Sequence, residues 1–226
     1  MKKASVVPIS SELWKIEAGE CFADILHRSQ RMEHRNEWAK ACEMRFEGAQ
    51  QLLDIIGEEE VRLDWNDKCS RAAMELLYRS AADNLFVGEV EVAVALWESL
   101  LELDPEDHLE AIVPLAFAYV EIEDYDCLES ALFDISPKSP EYHLLMLWAE
   151  YRRSGGIERD SLRQLRTRHK EWWGEFVAEE HPADERYLKD CQNERPSQQT
   201  EAREFWFATQ SIWERNTGFI KALQKA

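Results

Sequence analysis

Six histidines, five cysteines and 45 carboxylates are the residues of this chain that could do chemistry, and their spacing assembles no reaction centre. His27 and His34 are seven apart and would share a face of an unbroken helix. Zinc needs closer or more numerous ligands, such as histidines at i and i+4 with a third carboxylate, and no H-E-x-x-H occurs. His108, His143, His169 and His181 are scattered singly. The stretch "EIEDYD" gathers Glu121, Glu123, Asp124 and Asp126. It lacks the alternating spacing and the glycine of a calcium loop, and reads as a solvated joint between helices. Paired carboxylates of the kind that hydrolyse glycosides can be drawn anywhere in so acidic a chain, so they single out nothing. There is no G-x-S-x-G, no P-loop and no G-x-G-x-x-G. The expectation is a protein without catalysis, metal or cofactor.

The cysteines, Cys21, Cys42, Cys69, Cys127 and Cys191, are widely spaced with no C-x-x-C pair. An odd set without a framework reads as reduced thiols in a cytoplasmic protein. The start, "MKKASVVPISSELW", has only a short apolar run broken by Pro8, so no signal peptide is expected. No run approaches the length of a membrane span.

The net charge of −18 is unevenly placed. Residues 1–57 hold 8 basic and 9 acidic side chains, 58–150 hold 5 and 23, and 151–226 hold 14 and 13. The central block carries all of the excess. Such a field repels a phosphate backbone, which argues against nucleic-acid binding there, and attracts basic protein surfaces. It also keeps a protein soluble without any partner.

The elements that must position these residues are helical by periodicity. Ser10 or Ser11 caps a first helix to about residue 27, with Leu13, Ile16, Cys21, Phe22, Ile25 and Leu26 as its apolar set. A second runs over about 30–56, and Gly57 stops it. Its start, "HRSQRMEHRNEWAKACEMRFE", reads as a solvated face laced with ion pairs. "EEEVRLDWND" is a charged connector. Shorter paired helices follow over about 67–86 and 89–103, 107–122 and 125–134, then 141–154 and 158–177. A polar stretch with room for one short helix precedes a last helix, opened by Ser197 and running to about 223. No segment reads as a strand.

Self-comparison finds a period of 35: Pro105 aligns with Pro140, Leu100 with Ile135 and Ala81 with Ala116. Helix pairs at such a period stack because neither face buries alone. In "LLYRSAADNLFVGEVEVAVALWESLLELDP", Ala81 lets two helices approach, Gly88 turns the chain, Ala93 and Trp97 pack the second helix, and Pro105 ends it. This unit resembles a tetratricopeptide repeat. The next keeps Ala116, Ala118, Tyr119, Tyr125 and Pro140, but has Glu123 for the glycine, Leu128 for the alanine, and a Pro114 that would kink its first helix. A third keeps Ala149 and Gly156 and departs at Ser161 and Arg168. The fold expected is all-α, a right-handed α-α superhelix (a tetratricopeptide-like solenoid) with long capping helices at both ends. Its segments are an N-terminal helical cap over 1–66, repeats over 67–178, and a linker with a C-terminal capping helix over 179–226.

The resemblance implies a protein-binding scaffold whose groove is lined by the first helix of each pair. Carried over one by one, the groove positions are Glu75, Tyr78, Arg79, Ala82 and Phe86, then Glu110, Val113, Phe117 and Glu121, then Met146, Glu150 and Arg153. They are mostly acidic or apolar, so the carboxylate-gripping role of some family members is not expected, and a basic or amphipathic partner segment is. Two further readings stay open: an acidic inhibitor or nucleic-acid mimic blocking a basic enzyme cleft, and a helical enzyme. The aromatic tail, including Phe205, Trp206, Trp213 and Phe219, reads as the core of a cap or as an anchor for a partner or a second copy.

Overall fold

The computed structural model describes residues 4–57 and 59–226. They form twelve helices and one two-stranded sheet, so the all-α class holds with a small β addition. The chain divides into two compact units, Met1–Ala118 and Tyr119–Ala226. No helix of the described residues is long and apolar enough to cross a membrane.

The first unit opens on a hairpin where a helix was expected. β1 (Ser5–Pro8) pairs antiparallel with β2 (Trp14–Glu17), in the register Pro8 to Trp14 and Ser5 to Glu17. Period-2 burial explains it: Ile16 is buried while Glu17 faces solvent. Ser10–Glu12 is the turn, closed by the Ile9 and Ser10 amides donating to the Leu13 carbonyl. The outer edge of β2 is covered, since Trp14 N–H donates to the Arg62 carbonyl and Asp64 N–H donates to the Trp14 carbonyl.

Helices α1 (Glu20–Glu33), α2 (Trp38–Ile56), α3 (Lys68–Val87) and α4 (Val90–Leu103) complete this unit, with α3 packed against α1, α2, α4 and β2. The two long N-terminal segments thus begin later than expected, and α1 ends before His34, so His27 and His34 share no helix. Gly48 marks the tight crossing: a Cβ there would lie 2.7 Å from Leu76 Cδ2 on α3. Asp67 caps α3 by accepting from the Ser70 amide. Gly88 ends α3 at φ 92°, a left-handed turn that the next helix needs. Ala81, Ala93 and Trp97 are buried in the α3–α4 pair.

α5 (Ile112–Glu121) starts five residues later than expected. Pro114 therefore sits in the first turn, where its missing N–H has no intrahelical partner to lose, rather than in a helix interior. Asp107 directs this start. Its carboxylate accepts from the Ala111 and Ile112 amides at 2.7 and 3.1 Å, and its own φ is 49°. Asparagine tolerates that backbone and keeps the acceptor; alanine does neither. Asp107→Ala should therefore cost about 1–2 kcal/mol in urea unfolding, and Asp107→Asn only a few tenths.

The second unit holds α6 (Tyr125–Ala131), α7 (Pro140–Ser154), α8 (Arg159–Arg168), α9 (Lys170–Val177), α10 (Glu185–Asp190), α11 (Gln198–Arg215) and α12 (Thr217–Lys225). Two long helices expected from periodicity are each broken once. His169 separates α8 from α9, and Asn216 separates α11 from α12 at φ −120°, ψ 46°. The break lets α12 fold back against α9, which α11 also covers. Ser139 and Ser197 cap α7 and α11. Of the aromatic tail, Trp172, Phe176, Trp206, Trp213 and Phe219 are buried, while Trp173, Phe205 and Phe207 are half-buried; Trp148 on α7 joins the buried set, edge-on to Trp213 at 5.6 Å.

Candidate docking cleft

The groove positions read from the repeat fall in both units and have unequal surroundings. On α3, Glu75 and Tyr78 are half-buried, and Arg79 and Phe86 are exposed. Tyr78 tilts against Trp97 at 6.3 Å between rings. Burial pushes its hydroxyl pKa up, and the charges of the Asp107 and Glu110 carboxylates push it further, while Glu110 itself is exposed. Val113 is half-buried. Phe117 is fully enclosed and offers a partner no surface.

In the second unit, Glu121 is no free selector of basic residues. Its carboxylate accepts from Arg152 Nη1 at 3.1 Å, Asn216 Nδ2 at 3.0 Å and Arg215 Nε at 3.3 Å. Arg152 also reaches Glu123 at 2.8 Å and lies 5.3 Å from the Trp148 ring. Asp124 caps α6 by accepting from the Cys127 amide. "EIEDYD" is thus a joint between helices, with Glu121 and Asp124 held by hydrogen bonds while Glu123 and Asp126 stay exposed. Arg153 sits over the Tyr125 ring at 4.2 Å, and Glu150 accepts from Ser154 Oγ at 2.6 Å. Met146 is half-buried beside them in sequence.

The structure assembles a different open surface in the first unit. A cleft of about 750 Å³ lies where the hairpin turn, the end of α2, the 59–62 connector and the end of α4 meet. Its apolar lining is Trp14, Leu53, Ile56, Val61 and Leu103. Val61 and Leu103 are buried, and the other three are half-buried. The acidic lining is Glu12, Glu59, Glu60 and Glu102, and among the described residues Arg62 is the one cation that opposes them. All four glutamates are exposed, and none makes an ion pair among the described residues.

Local sequence explains each wall. The hairpin places Trp14 at the start of β2, and the β-bridge from Trp14 to Leu63 pulls the connector alongside. Leu63 N–H then donates to the Leu103 carbonyl, which ties the connector to the end of α4. Gly57 at φ 67° turns the chain out of α2, leaving Leu53 and Ile56 on the cleft side. The last turns of α2 and α4 line this region, so the carbonyl ends of both helices add to its negative field.

Sequence reasoning misses this cleft because periodicity places Trp14 in a helix and "EEEVRLDWND" reads only as a charged connector. The available signal was "EEEVRLDWND" itself, where Val61 and Leu63 alternate with charged residues in the manner of a short strand.

Comparison with models of known protein families, with curated proteins and with solved structures finds no match to this chain.

Proposed function

We propose that this chain is a non-catalytic protein-binding module, and that its N-terminal unit takes a basic, amphipathic segment of a partner in the cleft beside Trp14. One observation carries the reading: four exposed glutamates that make no ion pair among the described residues surround an apolar lining. Apolar side chains of a partner helix or extended segment would cover Trp14, Leu53 and Ile56, while its lysines and arginines meet the glutamates. The tetratricopeptide resemblance of the α3–α4 pair supports recognition of protein over small molecules, and it rests on Ala81, Gly88, Ala93, Trp97 and Pro105. Five thiols without disulfides fit a reducing compartment such as the cytoplasm.

A fluorescein-labelled amphipathic peptide of leucine and lysine serves as the probe, with fluorescence anisotropy as the readout. Replacing Glu59, Glu60 and Glu102 together by glutamine should weaken binding roughly tenfold, at about 0.5 kcal/mol for each exposed pair. Ile56→Asp should weaken it further. Equal binding by wild type and both variants would show that the cleft is not the site.

The second reading, a mimic that blocks a basic enzyme cleft, is favoured by the excess of 23 acidic over 5 basic side chains in residues 58–150. It differs in its signature. A mimic's affinity falls steeply with salt and tolerates Ile56→Ala, whereas the cleft's affinity falls modestly with salt and does not.

A further inference from the structure

The second unit carries the chemistry that the cleft selects. α8 buries Ser161 and Leu165 and exposes Arg159, Arg163, Arg166 and Arg168. Positions 159, 163 and 166 follow at steps of four and three, so they form one stripe along the helix. Lys170 at the start of α9 is also exposed. Arg159 and Arg168 make no ion pair among the described residues. Arg163 pairs with Asp160 at 2.9 Å, but both side chains are largely in water, where such a pair holds weakly. Arg166 donates to the Ala226 carbonyl and lies 5.1 Å from the ring of Trp173, which is half-buried. A chain of net charge −18 thus displays a basic helix face beside an aromatic ring.

We infer that this α8 face occupies the acidic cleft of a second copy of the chain, so that the protein associates head to tail. The inference rests on the cleft reading proposed above. Its basis is complementarity between two surfaces of the same chain: among the described residues Glu12, Glu59, Glu60 and Glu102 make no ion pair, and of the α8 arginines Arg163 alone pairs with a carboxylate. Guanidinium groups bind carboxylates through two parallel hydrogen bonds, and their methylene stems can lie on Trp14, Leu53 and Ile56. The net charge of each copy opposes contact, but at physiological salt the screening length is about 8 Å. Charges at the contact therefore outweigh those elsewhere. Because the two surfaces differ, the contact is heterologous and leads to chains or closed rings rather than two-fold dimers. Self-association would also compete with a foreign basic segment for the cleft.

Sedimentation velocity of the full chain tests this at about 0.1 and 0.5 M salt, a range over which exposed ion pairs are strongly screened. The expected result at low salt is a weight-average mass that rises with concentration to at least twice the 26.5 kDa of one copy, and returns to 26.5 kDa at high salt. The triple variants R159E/R163E/R166E and E59K/E60K/E102K should each be monomeric. An equimolar mixture should regain association, because each supplies the charge the other now lacks. All six positions are exposed, and circular dichroism checks that both variants fold. A wild type that stays at 26.5 kDa throughout, or association that persists in either variant alone, overturns the proposal. A monomeric wild type that binds a single-stranded DNA oligonucleotide through α8 overturns it too, and assigns that face to polyanions. The leucine–lysine peptide separates the two readings. A monomeric wild type that still binds it loses only the self-association, while one that does not bind it loses the cleft as well.

Discussion

Arg45→Ala should destabilise the first unit by about 3–5 kcal/mol, seen as a lower midpoint in urea unfolding. Arg45 lies in the middle of α2 with its side chain 2% exposed. Its guanidinium donates to both oxygens of Asp83 on α3, at 2.6 and 2.8 Å, and to Glu33 at the end of α1. Three helices therefore converge on one cation. Burial alone would push its pKa down, but the hydrogen bonds and charges of Asp83 and Glu33 reverse this and hold it above the ordinary arginine value. Removing the guanidinium strands two partly buried carboxylates facing each other, and that loss dominates the methylene packing lost with it. Arg45→Met combined with Asp83→Leu should recover more than half of the loss, since an apolar replacement leaves fewer stranded charges. A loss below about 1 kcal/mol for Arg45→Ala, the size of an exposed pair, would show that the triad is not the tie it resembles.

Glu175→Gln should have a similar effect on the second unit, about 3 kcal/mol near neutral pH, and its pH dependence has a definite sign. Glu175 on α9 is buried, accepts from Arg203 Nε and Nη2 at 2.7 and 2.9 Å, and meets His181 Nδ1 at 2.8 Å. His181 in turn stacks on Trp206 at 3.8 Å, and Arg203 donates to the Pro182 carbonyl. One carboxylate thus joins α9, α11 and the loop between α9 and α10. Burial raises its pKa, but the Arg203 and His181 hydrogen bonds and charges outweigh burial and hold it below the ordinary value. A depressed carboxylate stabilises the fold above its unfolded pKa of about 4.3, and that contribution disappears as pH falls through the lower folded value. The stability gap between wild type and Glu175→Gln should therefore be full near neutral pH and narrow below about pH 4.3. A gap that widens on acidification would contradict the assignment. Arg203→Lys should lose part of the same stability, because an ammonium cannot make the paired contact.

Much of the scaffold was legible in the chain, and the reasons are local. Ser197 announces a helix start through a hydroxyl that accepts from the Thr200 amide, whereas Ser10 and Ser11, read the same way, lie in the hairpin turn. Gly57 and Gly88 announce ends through backbone angles that other residues resist. The apolar spacing of α3 and α4 carries the same kind of information. The candidate site was less legible. Trp14 and Ile16 fit a helical stripe as well as a strand, and the pairing with Pro8 and Leu63 chose the strand. Phe117 and Phe86 look alike as groove anchors in sequence, yet one is enclosed and the other 65% exposed. The breaks at His169 and Asn216 carry no glycine or proline to mark them.

The sequence by itself determined the helical class, most helix boundaries, and the concentration of negative charge in residues 58–150, because these depend on residue types and short-range spacing. Only the tertiary structure decided which charges act as structure and which face solvent. Arg45 lies in a stretch that reads as a solvated face, but it is buried on Asp83, 38 residues away. Glu121 reads as a free groove carboxylate, but it is held by Arg152 and Asn216. Glu59, Glu60 and Glu102 read as connector and helix surface, but they rim one cleft. The physical reason is the same in each case. A charge's role depends on the dielectric and the partners around it, and those come from segments far apart in the chain.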